Sequence, residues 1–243
     1  MMMLFAEKVI ARNRNKTAAP PATLAVLGDS VTQGCFAVYR NGESSVETEY
    51  SYRDSYAEQL RGLIARYYPM AQVNVINAGI SGDTAPGGSA RLSRDVLPFS
   101  PDLCIVCFGL NDSGHGLSGL KAYENGMRSI FAQLREASVP AILLTPNMCC
   151  TYPSYEVPEG FLRTVAEQVA DRQNQGVLDA YVDCARRIAA DMQVPICDVY
   201  AKWKHLYASG VDVTRLLANR INHPTPEMNG LFAQSLFDML FFS

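Results

Sequence analysis

The sequence predicts an α/β domain in which a mostly parallel sheet is covered by helices on both faces. Five short apolar runs typical of buried strands alternate with longer stretches in which apolar residues recur at helical spacing. The chain has 243 residues, which is enough for one large domain. Hydrophobic residues make up 48% of it, so it can bury a sizeable core.

The predicted strands end where turn residues or polar residues begin. The first is the apolar run TLAVLG at residues 23–28. Counted along the chain, the strands are predicted at residues 23–28, 73–78, 103–109, 141–145 and 195–199.

Helices are predicted between these strands and at the C-terminal end. Apolar residues at helical spacing predict helices over about residues 54–68, 117–136 and 176–192. Pro69 ends the first of them. The last helix begins at Thr225, with an N-cap hydroxyl, proline at the first position and an acid in the first turn.

The chain is divided into an N-terminal arm, residues 1–22, and a single domain, residues 23–243. The apolar start of the arm is interrupted by Glu7 and Lys8, so the order of charges and apolar residues typical of a signal peptide is absent. No stretch approaches the ~20 apolar residues that span a bilayer. We therefore expect a cytoplasmic protein without a transmembrane segment.

The net charge indicates which partners the chain is not expected to bind, and the cysteine spacing indicates whether it holds a metal ion. The net charge is -3 without a basic stripe, which argues against nucleic acid or an anionic membrane as the main partner. Of the seven cysteines, Cys104 and Cys107 lie three apart on a predicted strand and point to opposite faces, so they cannot clamp one metal ion. We expect buried free thiols and no metal site. Cys149 and Cys150 are the pair to consider for redox behaviour.

Polar clusters follow three of the strands and precede the last helix. Because the carboxyl ends of parallel strands meet at one edge of the sheet, residues far apart in sequence can converge there. The clusters are GDS at 28–30, NAGISGDT at 77–84, GLND at 109–112 and NHP at 222–224.

These four motifs, in this order, resemble those of the SGNH hydrolases, also called GDSL lipases and esterases. The resemblance covers roughly residues 23–242. It implies a flavodoxin-like three-layer α/β/α sandwich with strand order 2-1-3-4-5, and neither metal nor cofactor. It also implies that Ser30 is the nucleophile and His223 its general base. The oxyanion donors would be the backbone N–H groups of Ser30 and Gly79 and the side-chain amide of Asn111.

The chemistry of these residues agrees with the resemblance. A serine hydroxyl needs an adjacent base, which imidazole provides near neutral pH, and the tetrahedral intermediate needs fixed donors. Each residue alone has a simpler explanation, such as a helix N-cap for Ser30 or a turn for Gly79. For the four motifs not to form a catalytic site, all of these simpler explanations would have to hold at once. His115 and His205 lie in less suitable surroundings, a Gly-rich loop and an amphipathic stretch.

The sequence departs from the family pattern three residues before His223, where an acid is usual and Arg220 stands. An arginine beside the ring would disfavour imidazolium, so we expect its side chain to point elsewhere. His223 is held by a backbone carbonyl, by Asn219 (the better amide candidate) or Asn222, or by Asp212. The remaining alternative is a site that has lost most of its activity.

The predicted function is hydrolysis of short acyl esters, such as acetyl esters, of a carbohydrate or another polar alcohol. Two long loops, residues 35–53 and 146–160, are polar and tyrosine-rich and are candidate walls of the substrate pocket. The alternatives are a weakly active or inactive binding module on the same fold, and a lipase or thioesterase for longer acyl chains. A homo-oligomer is possible.

Overall fold

A computed structural model describes residues 2–41 and 45–242. The strands in this part of the chain are β1 (Ala22–Gly28), β2 (Cys35–Asn41), β3 (Ser45–Tyr50), β4 (Val73–Gly79), β5 (Leu103–Cys107), β6 (Ala141–Leu144) and β7 (Ile196–Cys197). Five of them form a parallel sheet in the order β4-β1-β5-β6-β7. Counted along the chain, this is the predicted order 2-1-3-4-5, which is confirmed.

Helices cover both faces of this sheet. They are α1 (Met2–Arg14), α2 (Ser30–Gln33), α3 (Tyr56–Tyr67), α4 (Ala85–Asp95), α5 (Leu120–Glu136), α6 (Phe161–Asn174), α7 (Val177–Met192), α8 (Val199–Ala208) and α9 (Pro226–Phe241). One layer contains α1, α3 and α9, and the other contains α4, α5 and α7. Between them β5 is buried along its whole length, as expected for a central strand of a parallel sheet. The three-layer α/β/α sandwich is therefore confirmed.

Two predicted strands are shorter in the structure by two residues or more, and the strand predicted at 141–145 ends one residue early, at Leu144. The strand predicted at 103–109 ends at Cys107, and Gly109 has a φ of 130° that takes the chain out of the extended conformation. The strand predicted at 195–199 keeps only Ile196 and Cys197. Asp198 follows as the N-cap of α8, its carboxylate accepting the Ala201 N–H, so the chain turns into a helix there.

The structure also contains elements that the pattern did not predict. Within the stretch 35–53, β2 and β3 pair in antiparallel fashion, and residues 42–44 between them lie outside the described residues. Helices α4, α6 and α8 were not predicted, because their apolar faces are interrupted by charged or small residues. The hairpin and α6 both follow strands of the main sheet, near its carboxyl edge.

Residues before the first strand contribute to the core. Phe5 and Val9 of α1 are fully buried in it. Lys8 forms an ion pair of 2.7 Å with Asp102, and the other oxygen of that carboxylate accepts the N–H of Thr23 at the start of β1, also at 2.7 Å. Thus α1 is packed against the sheet. Over residues 2–41 and 45–242, no helix has the length and apolar character needed to cross a membrane.

The seven cysteines are all unpaired and buried, as predicted. Burial raises the pKa of the Cys150 thiol to about 12 and raises that of Cys149 further. Because the thiolate is the reactive form, this environment disfavours the redox role considered for the pair.

Candidate active site

Ser30 lies at the carboxyl end of β1, at the start of the short helix α2. Asp29 is the N-cap of that helix, and its carboxylate accepts the Val31 N–H at 3.0 Å. As the first helical residue, Ser30 has a backbone N–H without an intrahelical partner. Gly28 allows this tight turn, because a Cβ there would meet the Thr32 side chain and come within 2.6 Å of the Cys107 carbonyl oxygen.

His223 is brought against Ser30 from a position 193 residues further along the chain. Its Nε2 lies 2.8 Å from the Ser30 Oγ, and the imidazole is 4% exposed. Burial lowers the pKa of His223 to about 4. The ring is therefore neutral at ordinary pH, which is the state that a general base needs.

The other ring nitrogen of His223 faces the side-chain amide of Asn219. Nδ2 of Asn219 lies 3.1 Å from His223 Nδ1. Its Oδ1 accepts the backbone N–H groups of Ile221, Asn222 and His223, each at 3.0 Å. The turn that aims these N–H groups inward contains Arg220 in the left-handed conformation, with a φ of 57°.

These contacts decide which end of the Asn219 amide faces the ring. Reversing the amide would place an NH₂ group against three backbone N–H donors and leave all of them unpaired. The group that faces Nδ1 is therefore an N–H donor. It is neither the carboxylate usual in such sites nor the carbonyl oxygen that we considered.

The orientation of Asn219 selects the tautomer of His223 in the resting protein. Since Nδ1 accepts a hydrogen bond from Asn219, the ring proton lies on Nε2. Nε2 then donates to the Ser30 Oγ and cannot accept the serine proton. For His223 to act as a base, the ring must carry its proton on Nδ1, which breaks the Asn219 hydrogen bond.

The other residues considered for holding the imidazole are engaged elsewhere. Arg220 points away from the ring, as predicted, and its Nε donates to a Glu156 carboxylate oxygen at 3.1 Å. The alternative in which Asp212 holds His223 finds no support, because the Asp212 carboxylate accepts the Tyr152 hydroxyl at 2.6 Å. Asn222 contributes indirectly, through its Oδ1, which accepts the Asn219 amide at 2.9 Å.

Gly79 ends β4 directly beside Gly28, its partner in β1. Its N–H donates to the Asn77 Oδ1 at 2.9 Å, so this candidate oxyanion donor is already shared. A Cβ at Gly79 would lie 2.7 Å from the Gln33 Cα and still closer to the Gln33 N. The missing Cβ therefore lets β4 pack against the backbone of α2.

Asn111 follows β5 and is bonded to the loop after β4. Its Nδ2 donates to the Asp83 carbonyl oxygen at 2.9 Å. This bond uses one of the two amide hydrogens and leaves the other to point at a ligand. The candidate donors Ser30, Gly79 and Asn111 therefore stand at the carboxyl ends of the adjacent strands β1, β4 and β5.

Arg91 is a buried arginine that the sequence pattern did not indicate. Its guanidinium donates to the carbonyl oxygens of Gly28 at 2.9 Å and Ala78 at 2.7 Å, and to the Asp83 carboxylate at 2.6 Å. It therefore ties the ends of β1 and β4 to the loop that holds Asn111. Its position could have indicated burial, because Arg91 lies three residues after Gly88 on the same buried face of α4.

Two buried carboxyl groups lie beneath the site. Asp112 accepts the N–H groups of Ala85 at 3.0 Å and Gly109 at 3.1 Å, and burial raises its pKa to about 6. Burial also raises the pKa of Asp29 to about 7, against the effect of its bond to Val31. Near neutral pH these groups are thus less negative than ordinary carboxylates.

A small pocket of about 190 Å³ adjoins the site and includes Asn111 and Asn222 in its wall. The rest of its lining is mainly apolar and comes from the segment after β5, the loop after β6, and helices α6 and α7. A larger cavity of about 470 Å³ lies between Phe131, Ala141 and Val194, at the opposite edge of the sheet, and has no histidine, cysteine or carboxylate in its lining. We therefore place the chemistry at the smaller pocket. In the part of the chain that the structure describes, no group of three or more His, Cys, Asp or Glu is arranged to hold a metal ion.

Comparison with known proteins agrees with the motifs and the fold. Residues 26–231 match the model of the GDSL-like lipase/acylhydrolase family. The chain therefore belongs to this family of carboxylic ester hydrolases.

Individual relatives match parts of the chain. An acetylxylan esterase of Geobacillus stearothermophilus is 30% identical over 132 residues, which are 51% of this chain and 58% of the relative. Thioesterase 1/protease 1/lysophospholipase L1 of Escherichia coli K12 is 27% identical over 135 residues, 56% of each chain. The chain thus spans little more than half the length of these two curated relatives.

Solved structures resemble the whole domain. The crystal structure of Axe2, an acetylxylan esterase from Geobacillus stearothermophilus, superposes with a TM-score of 0.66 and 22% identity. The match covers 91% of this chain and 95% of that one. At this identity the likeness shows a shared fold.

Proposed function

We propose that this chain hydrolyses short acyl esters of a carbohydrate or another polar alcohol through a Ser30 acyl-enzyme, with His223 as the base. The observation that carries the proposal is the 2.8 Å contact between the Ser30 Oγ and the His223 Nε2, buried beside the three candidate oxyanion donors.

In the proposed reaction the Ser30 Oγ attacks the ester carbonyl carbon, and the serine proton passes to His223 Nε2 once the ring proton lies on Nδ1. The oxyanion accepts hydrogen bonds from the N–H groups of Ser30 and Gly79 and from the Asn111 amide. His223 then protonates the leaving alcohol. In the second half-reaction it removes a proton from the water that attacks the acyl-enzyme.

The substrate class rests on the pocket and on the relatives. A pocket of about 190 Å³ is smaller than the roughly 300–1,000 Å³ of sites for drug-sized ligands, and so suits a short acyl group or one small ring. Acetylxylan esterases are among the relatives in both sequence and structure. We therefore favour acetyl esters over long-chain lipids.

Ester turnover tests the proposal. We expect p-nitrophenyl acetate hydrolysis by the wild type and its loss in Ser30→Ala and His223→Ala. Ser118→Ala and His205→Ala are matched controls on exposed residues and should keep wild-type rates. Hydrolysis that survives in Ser30→Ala would contradict the serine mechanism. A series of p-nitrophenyl esters of two to eight carbons should give the highest kcat/KM for the shortest acyl groups.

A second candidate function, a weakly active or inactive binding module, is favoured by one specific observation. Asn219 presents an N–H to His223 Nδ1 and thereby stabilises the tautomer that cannot accept the serine proton. The two candidates differ in measured turnover, because a binding module would show no Ser30-dependent hydrolysis.

A further inference from the structure

We infer that the pocket beside Asn111 recognises a negatively charged group on the substrate through Arg172. This inference rests on the proposed function, because it concerns the substrate of the same site. It predicts a preference for esters that carry a carboxylate in either their acyl or their alcohol part.

Arg172 supplies the only charge among the residues that line this pocket. The remaining lining consists of amides, one hydroxyl, one glycine, one thiol and aliphatic side chains: Leu110, Asn111, Ser113, Gly114, Cys149, Val165, Val169, Gln173, Leu178 and Asn222. A single cation in a mostly apolar wall exerts a stronger field on a ligand than the same cation in open water. The candidate oxyanion donor Asn111 shares the pocket, so a group bound by Arg172 lies close to the reacting ester.

The guanidinium of Arg172 is unengaged in the structure. It is half-buried, and across residues 2–41 and 45–242 it has neither an ion pair nor a hydrogen bond. Arg163 of the same helix, in contrast, donates to the Pro153 carbonyl oxygen at 3.1 Å and pairs with Glu159 at 3.2 Å. The five N–H donors of Arg172 are therefore available to a ligand.

The backbone that carries Arg172 is held firmly. The next residue, Gln173, is buried, and its amide accepts the Cys149 N–H at 2.8 Å and donates to the Tyr200 hydroxyl at 2.9 Å. Asn174 donates to the Thr151 carbonyl oxygen at 2.9 Å. These bonds fix the last turn of α6 to the loop after β6, so the base of the Arg172 side chain is pre-positioned at the pocket.

A planar guanidinium favours a planar oxyanion that can accept two parallel hydrogen bonds, and a carboxylate is such a group. The alternative role is structural, since a cation in the last turn of a helix also complements the helix dipole. That role would be indifferent to the charge of the substrate. The two roles therefore predict different specificities.

Equilibrium binding gives a test that does not depend on turnover. In a Ser30→Ala background, we would measure by calorimetry the binding of 4-acetoxybenzoate, with the carboxylate on the alcohol part, and of mono-4-nitrophenyl glutarate, with the carboxylate on the acyl part. The neutral counterparts are 4-acetoxybenzamide and methyl 4-nitrophenyl glutarate. Adding Arg172→Gln should weaken binding of at least one anionic ester by about 10–10²-fold relative to its neutral counterpart.

Matched variants separate charge recognition from a fold defect. Arg163→Gln, the same change on the same helix, should leave the ratio of anionic to neutral binding as it is, and Arg172→Lys should retain part of the preference. In the Ser30-containing protein, Arg172→Gln should lower the anionic-to-neutral ratio of kcat/KM mainly through KM. If Arg172→Gln leaves both ratios unchanged, or weakens anionic and neutral esters equally, the inference is wrong. Failure of the proposed function is recognised separately, by turnover that persists in Ser30→Ala.

Discussion

We predict that changing Asn219 to Asp raises the rate of the proposed ester hydrolysis. The substitution replaces the amide nitrogen 3.1 Å from His223 Nδ1 by a carboxylate oxygen. The other oxygen of the new carboxylate would keep the three backbone N–H groups that Asn219 Oδ1 accepts now. The Asn222 amide can rotate to donate to the new oxygen. The turn is thus preserved while the group facing the ring changes from donor to acceptor.

The magnitude follows from two hydrogen bonds. The present Asn219 bond stabilises the inactive tautomer by about 1 kcal/mol, and a bond from Nδ1–H to a carboxylate would stabilise the active one by about 1.5–3 kcal/mol. Together they change the tautomer balance by about 2.5–4 kcal/mol, which corresponds to roughly 10²–10³ in rate. The opposite substitution in a serine protease, from the acid of the triad to its amide, lowers turnover by about 10⁴ for the same tautomeric reason.

The assay is kcat for p-nitrophenyl acetate as a function of pH. Burial holds the pKa of His223 near 4 in the native protein, so the acidic fall of the rate should lie near that value. A carboxylate beside the ring favours imidazolium and raises its pKa. In Asn219→Asp the plateau should therefore rise and the acidic limb should move to higher pH. A purely structural effect of the substitution would not move the limb.

Asn222→Asp is the matched control, since it adds the same charge to the same turn at the atom that already accepts the Asn219 amide. It should give a much smaller gain. If Asn219→Asp folds with an unchanged melting temperature yet shows neither a faster plateau nor a shifted limb, the tautomer argument is refuted.

Three further predictions concern the packing of Gly79, the burial of Phe5 and the effect of His223 on stability. Gly79→Ala should lower Tm, and it should lower kcat by at least about 10²-fold. The new Cβ collides with the Gln33 backbone and displaces the Gly79 N–H, a candidate oxyanion donor. Circular dichroism measures the change in Tm, and ester turnover measures the change in kcat. Phe5→Ala should lower the free energy of unfolding in urea by about 3–5 kcal/mol, since the ring is fully buried. Between pH 6.5 and about 4, His223 binds fewer protons in the folded protein than in the unfolded one. The free energy of unfolding should therefore fall by up to about 3 kcal/mol as pH falls through that range. Comparing the wild type with His223→Gln isolates this contribution.

Each of these has a clear contrary result. Wild-type Tm and kcat in Gly79→Ala would show that β4 and α2 are not tightly packed. A loss below about 1 kcal/mol in Phe5→Ala would show that α1 contributes little to the core. Identical pH profiles of unfolding for the wild type and His223→Gln would contradict a depressed histidine pKa.

The fold was largely predictable because buried parallel strands are short, uninterrupted apolar runs in the sequence. Residues 23–28 and 103–107 are uninterrupted apolar runs that stop at Gly28 and just before Gly109, where polar motifs begin. Those motifs also determined the resemblance, from which the strand order followed. The short strand β7 was harder, because two residues of pairing hardly differ from the approach to a helix cap at Asp198.

The hairpin of β2 and β3 was missed because its polar sequence resembles that of a loop. Arg91 was missed because a charged residue on a helix normally faces solvent, and three of its acceptors, Gly28, Ala78 and Asp83, lie outside its helix. No local pattern reports such a contact.

At the candidate site, the sequence predicted which residue lies beside His223 but not the direction of the hydrogen bond between them. Asn219 was the favoured neighbour of His223, and the structure places it there. Which end of its amide faces the ring depends on a left-handed residue, Arg220, that turns three N–H groups toward Oδ1. The consequence for the tautomer therefore appears only in three dimensions.

The most direct test of the central claim is covalent labelling of the nucleophile. The protein would be treated with a fluorophosphonate and digested, and the modified peptide identified by mass spectrometry. We predict one adduct, on Ser30, forming slowly in the wild type, faster in Asn219→Asp and not at all in Ser30→Ala. An adduct on another residue, or none on Ser30 in either the wild type or Asn219→Asp, would contradict it.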